Sequence, residues 1–223
     1  AAALAMWAGA ARAQLEDEGA FETCEDVRVV ARWDAPGVVR LAAYLTNCTE
    51  VTITLDLALT NAVASAPLPL TADSAGRTVF ELVTLRAANP RRRPQFSGSF
   101  VWQYGRRGAG EDAGHVYELP YREGAYRVSQ GCFGEHTHAP GSGAEHAIDW
   151  EMPVGTVVCA ARAGTVVALR GDSTVGAKSP KFIFSGNFVV LRHSDGTFAE
   201  YGHLRRNGVL VWLGQEVGCG GVI

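Results

Sequence analysis

Short runs of β-branched and aromatic residues, each closed by a turn word, fill the chain from Val27 to about Tyr121. VRVVARW, VVRLAAYL, VTITLDLAL, RTVFELVTL, GSFVWQYG and HVYELPY stand between DAPG, NCTE, ADSAG, NPRRRP and RRGAGEDAG. Runs this short and this rich in strand formers are what a small β-sandwich requires, and an immunoglobulin-like one is the expected form. Beyond Tyr126 the rhythm changes without becoming helical. Glycines punctuate MPVGTVVCAARAGTVVAL, NFVVLRHSDGTFAEYGHL and VLVWLGQEVGCGGVI, which read as a compact antiparallel sheet turned on glycine. The expected organisation is all-β: a sandwich over 14–122, a second domain over 123–223, and a boundary near REGAY.

Composition narrows the class. Apolar residues make up 47% and charged residues 19%, so the chain can bury a core and is neither disordered nor coiled coil. A net charge of -3 argues against nucleic acid as a partner, since a general binder would be basic. The opening AAALAMWAGAARAQLEDEG reads as the back of a secretory leader. It has an apolar run, a small-x-small cleavage word at Ala11-Arg12-Ala13, and an acidic start at Gln14. Residues 1–13 are therefore expected to be a leader remnant, with no stable membrane insertion once it is removed.

Export would place the five cysteines in an oxidising compartment. DAPG turns VRVVARW back onto VVRLAAYL, and Cys24 and Cys48 lie equally far from Pro36. A disulfide between them is expected, worth about 3 kcal/mol for a loop of this size; the other reading is two unrelated buried thiols. Arg91 to Arg93, between Pro90 and Pro94, form the one strong charge run. It reads as a solvated loop or, more sharply, as a contact for an anionic polymer or lipid headgroup.

The stretch GCFGEHTHAPGSGAEHAIDW at 131–150 crowds His136, His138, His146 and Asp149 around a loop. Zinc catalysis needs about three His or Asp/Glu ligands and one position left open for water. His136 and His138 are two apart, so on an extended segment they share a face. Half of a zinc site and an incidental polar loop both fit this word alone.

The words that follow add to it. AIDWEMPVGTVVCAARAGTVVAL, then NFVVLRHSDGTFAEYGHL, then GQEVGCGGVI resemble the lysostaphin-type zinc metallopeptidases, hydrolases of bacterial peptidoglycan. The resemblance runs from about Tyr126 to Ile223 in the family's order. It implies a glycine-turned antiparallel peptidase fold, a Zn2+ cofactor, a peptidoglycan peptide as substrate, and a periplasmic or secreted bacterial protein. By position, Asp149 matches the family's aspartate ligand and His203, in YGHL, a catalytic histidine. Asn187 matches a polar residue near the cleft, and His193 reads as a structural histidine.

Two departures matter. The commoner family spacing puts the first ligand at Glu145, but a branch with a longer loop places it in a Ser-His word further upstream. Thr137-His138 fits that place, so His138 ranks first, His136 second and Glu145 third. The family's third ligand follows as H-x-H after G-Q-x-I-G-x-S-G, where this chain reads GCGGVI, so the sequence is expected to be a fragment of a longer protein. The resemblance implies a zinc metalloendopeptidase cleaving peptide cross-links in the complete protein, this chain alone being inactive. The other reading is an inactive relative that binds the cell wall or activates an amidase, and a third is a secreted β-rich binding module without metal.

Overall fold

In the computed structural model the described residues are 26–142, 144–175 and 185–223, together with the strand backbones at 2–5, 11–15 and 20–24. Part of the expected leader remnant and the side chain of Cys24 lie outside them. The described residues hold sixteen strands and no helix. By their contacts they form two compact units, 10–107 and 108–223 with 1–9.

The unit over 10–107 is made of two antiparallel sheets. One has the order β2 (Ala11–Leu15), β10 (Gln95–Tyr104), β6 (Val51–Thr60), β8 (Leu70–Asp73). The other runs β3 (Ala20–Cys24), β4 (Val27–Ala35), β5 (Val38–Leu45), β9 (Val79–Ala87), β7 (Ala62–Ala64). Side chains alternate across a strand, so one face of each sheet collects the apolar positions. Val27, Val29, Val39, Leu41 and Leu85 of one sheet and Ile53, Leu55 and Phe100 of the other are fully buried. Two sheets with one buried face each, inside one compact unit, make a sandwich. β4 and β5 form the hairpin that DAPG implied, from Val27↔Leu45 to Ala35↔Val38, with Gly37 in the left-handed region its turn requires. Beside it the Cys48 thiol donates to the Asp26 carbonyl at 3.6 Å.

The second unit holds one seven-stranded sheet, β11 (Val128–Gln130), β12 (Ile148–Trp150), β1 (Ala2–Ala5), β15 (Phe198–Leu204), β14 (Asn187–Arg192), β13 (Gly164–Arg170), β16 (Glu216–Val217). Its core gathers Val166, Val189, Leu191 and Tyr201 from the strands with Val158, Ala160, Val211 and Ile223 from the segments that cross them. Those crossing segments correct the strand reading. HVYELPY, most of MPVGTVVCAA and VLVWLGQ are not strands, although they are rich in strand formers. HVYELPY lies extended against MPVGTVVCAA, and that run against the GCGGVI segment: Glu118 N–H donates to Ala161 O, Cys159 N–H to Pro120 O, and Ala160 N–H to Gly221 O. VLVWLGQ instead meets β13, Gly214 N–H donating to Val166 O and Val166 N–H to Gln215 O. The first two satisfy their backbones pairwise instead of joining the sheet.

Candidate metal centre

The centre is built by a loop that leaves one strand and returns on its neighbour. β11 pairs antiparallel with β12, Val128 opposite Trp150 and Gln130 opposite Asp149, with an irregularity between the two pairs. The seventeen residues between these strands contain the histidine-rich word. Their glycines and prolines keep them out of a ladder, so the loop must be fastened by other bonds.

Gln130 supplies most of that fastening. Its Oε1 accepts the backbone N–H of His136 and of Thr137, each at 3.2 Å. Its Nε2 donates to Thr137 Oγ1 at 2.8 Å and, more weakly, to Asp149 Oδ2 at 3.4 Å. The contact is close enough that a Cβ at Gly134 would come within 2.5 Å of Gln130 Cγ, so only glycine fits there. Further along, Phe133 N–H donates to Glu145 O at 2.7 Å and its ring meets that of His146 edge-on at 5.2 Å.

His138 is the buried member of the histidine group, with 3% of its surface exposed. Its Nδ1 lies 3.1 Å from Gly131 O, and a carbonyl only accepts, so Nδ1 carries the proton. In the neutral imidazole the lone pair is then on Nε2, which stands 3.5 Å from Asp149 Oδ2. Two ligands each about 2.0–2.1 Å from a tetrahedral zinc stand about 3.4 Å apart. The pair therefore has the spacing, the tautomer and the backbone anchor of two metal ligands.

The other residues that the sequence put forward go elsewhere. His136 is exposed and is fastened only through its backbone. Glu145 accepts from Gly141 N–H at 2.6 Å and lies 3.5 Å from His146 Nε2. Asn187 is buried and fully used: Oδ1 accepts from Ser173 N–H at 2.8 Å, and Nδ2 donates to Ser173 O at 3.1 Å and Leu204 O at 3.2 Å. It braces the segment after β13 against the end of β15. His193 is 1% exposed, its Nδ1 donating to Ala163 O at 2.9 Å. Burial pushes its pKa below the ordinary histidine value, and the nearby Arg162 pushes the same way.

His203 sits on β15 at an irregularity in the β14–β15 pairing, with φ at 58° and its surface exposed. Backbone in that region is uncommon outside glycine and re-aims the side chain. It lines a groove with Met152, Val154, Val157, Leu210 and Ile223. β1 lies between the two strands concerned, Ala3 facing Asp149 on one side and Gly202 on the other. Two strand spacings, roughly 10 Å, thus separate the Asp149 and Gly202 backbones. Among the described residues no third His, Cys, Asp or Glu joins His138 and Asp149.

Sequence reasoning passes over Gln130, which carries no metal chemistry. The one signal for it is its place beside Gly131 at the mouth of the loop.

Residues 143–223 match the sequence profile of peptidase family M23, which takes in Asp149, Asn187, His193 and His203 and begins after His138. This part of the chain is an M23 peptidase domain. No curated protein and no solved structure matches the chain. The M23 assignment carries the metallopeptidase class at the level of the family. It agrees with the antiparallel, helix-free sheet of the described residues.

Proposed function

We propose that the complete protein is a zinc metalloendopeptidase that hydrolyses peptide cross-links of bacterial peptidoglycan. In this reading it works in the periplasm or outside the cell, with an immunoglobulin-like sandwich as its accessory domain. The observation that carries the reading is the His138–Asp149 pair: Nδ1 anchored on Gly131 O, Nε2 facing the carboxylate at 3.5 Å. His138 and Asp149 hold the metal, and a third ligand comes from outside the described residues. Zinc, when bound, lowers the pKa of its water towards neutrality and polarises the scissile carbonyl. His203, an exposed imidazole beside an apolar groove, takes up and returns the proton at its ring nitrogen. The groove's apolar walls suit a peptide segment held next to that imidazole. Gln130 keeps Asp149 and the ligand loop in register.

The test is made on the product of the full open reading frame, purified in neutral buffer without chelator. About one zinc per chain and new amino termini released from cross-linked peptidoglycan are expected, both lost in His138→Ala. Zinc well below one per chain defeats the enzyme reading. Zinc at full occupancy with no cleavage favours the second reading, a wall-binding or amidase-activating relative. That reading draws support from the absence, among the described residues, of a third ligand beside His138 and Asp149.

A further inference from the structure

The Arg91–Arg93 run takes no part in this chemistry, yet the sandwich holds it with care. Asn61, in the left-handed region at the corner between β6 and β7, fastens the loop from beneath. Its Oδ1 accepts from Asn89 N–H at 2.8 Å, and its Nδ2 donates to Arg92 O at 2.7 Å and Asn89 O at 3.2 Å. Arg93 lays its guanidinium over the ring of Trp33, 4.3 Å from the centroid, and Trp33 remains 40% exposed. Ala87 N–H donates to Gly37 O, which ties the base of the loop to the tip of the β4–β5 hairpin.

Charge is uncompensated there. Elsewhere in this unit Arg40 pairs with Asp34 and Glu81, Arg106 with Glu50, and Arg107 with Asp73. Arg86, Arg91, Arg92 and Arg93 are exposed and make no ion pair with any described residue. Arg91–Arg93 are consecutive, Arg86 stands at the base of the same loop, and Asp34 in the adjoining hairpin is taken by Arg40, so an anion would relieve the repulsion of the unpaired charges. Apolar surface adjoins them. Val63, 60% exposed, is the register partner of Arg86, and it opens onto a shallow groove lined also by Leu57, Leu59, Pro67 and Leu68.

We propose that this end of the sandwich docks on an anionic phospholipid surface. Arg86 and Arg91–Arg93 meet the headgroup phosphates, and Trp33 and Val63 enter the interfacial layer. Guanidinium forks match phosphate oxygens, and an exposed tryptophan beside them is suited to the boundary between headgroup and acyl chain. The exposed apolar residues favour a lipid surface over a soluble polyanion, which would offer them nothing.

The test is co-sedimentation of the whole chain with vesicles of phosphatidylglycerol and phosphatidylcholine, against phosphatidylcholine alone. Binding to the anionic vesicles is expected, weakening as salt rises from 50 to 300 mM on the order of tenfold or more. The triple variant Arg91→Ser, Arg92→Ser, Arg93→Ser is expected to lose on the order of a hundredfold in partition. Val63→Ser is expected to weaken vesicle binding while leaving binding to inorganic polyphosphate unchanged. Equal binding to both vesicle types, or a triple variant that binds as well as the parent, overturns the proposal. Tight polyphosphate binding with a Val63→Ser variant that holds vesicles as well as the parent overturns it too, assigning the loop to a soluble polyanion. The substituted positions are solvent-facing, and circular dichroism of each variant confirms that the sheets are kept.

Discussion

The sandwich and the M23 domain are both antiparallel β, but they spend their residues differently. In the sandwich the ladders are long: β6 and β10 keep ten residue pairs in unbroken register, and β4, β5 and β9 run eight or nine residues each. In the second unit β12 has three residues, β11 three and β16 two, and segments between strands do much of the crossing. The contents of the interiors follow. The sandwich buries the polar or charged Asp26, Glu50, Thr52 and Ser74, of which Thr52 and Ser74 close hydrogen bonds inside the ladder region. The second unit buries His138, Arg162, Arg170, Asn187 and His193. A long ladder satisfies most of its backbone groups by itself and leaves side chains few bonds to finish, such as Ser74 Oγ accepting from Val51 N–H. A broken ladder needs side chains to finish its hydrogen bonds, and those same side chains become available for chemistry.

Removing a ligand strains this contrast most. Asp149→Ala is expected to weaken zinc binding more than about a hundredfold, beyond what loss of an outer partner costs. The thermal transition of the sandwich should not move. Zinc per chain after dialysis and a calorimetric scan read the two effects together, and a shifted sandwich transition would contradict the division of labour.

The converse experiment empties the other core. Phe100, 1% exposed, lies on β10 in the sandwich. Phe100→Ala is expected to cost about 3–5 kcal/mol by denaturant titration while zinc affinity stays unchanged. A matching loss of zinc would show that the metal centre leans on the sandwich core.

Gln130→Ala tests the fastening role. Loss of the Thr137 and Asp149 contacts is expected to weaken zinc binding about ten- to a hundredfold, as for other groups that orient a ligand without touching the metal. Zinc titration against a chromophoric chelator measures it. An unchanged affinity would mean that the loop holds its shape without Gln130.

The smallest effect is on pH dependence. Burial lowers the folded pKa of His193, so between that value and about 6.5 the unfolded chain binds more protons than the folded one. Stability therefore rises with pH across that window and falls on acidification below about 6.5. Asp195 does not contribute there. Burial pushes its pKa up, but hydrogen bonds from Thr197, Asp112 and Arg162 outweigh it and hold the carboxyl well below the usual range. Its stabilising effect persists until far lower pH. Melting temperatures from pH 7 to pH 5 are expected to decline less steeply in His193→Gln than in the parent, and identical slopes would assign the decline to other groups.

What could be read along the chain follows the same division. Strand words with period-two alternation and a DAPG turn are local statements, and β4, β5, β6, β9 and β10 form where they stand. HVYELPY and VLVWLGQ have similar composition but form no strand. Whether a β-prone run joins a sheet depends on an open neighbouring edge: HVYELPY finds an irregular segment, and VLVWLGQ touches β13 only at its end, where Gly214 and Gln215 bond Val166. Asp149 is legible because its word, AIDW, is a strand edge with a family order around it. Which of His136, His138 and Glu145 faces Asp149 is not a local matter. It turns on which residue a seventeen-residue loop buries, and the bonds that decide this come from Gln130 and Gly131.

Written in the sequence are the β class, the hairpin at Pro36–Gly37, the M23 character of 143–223 and the residue types available for a metal. These depend on side-chain period, turn chemistry and motif order, all of which run along the chain. Folding alone brought Nε2 of His138 to face Asp149, set Gln130 to fasten Thr137 and Asp149 and made Asn187 a brace for β15. It also brought Arg86 and Arg91–Arg93 to one end of the sandwich, none of them in an ion pair with a described carboxylate. Each of these is a meeting of residues distant in sequence. It is fixed by strand register and backbone hydrogen bonding, for which no single stretch of sequence carries the information.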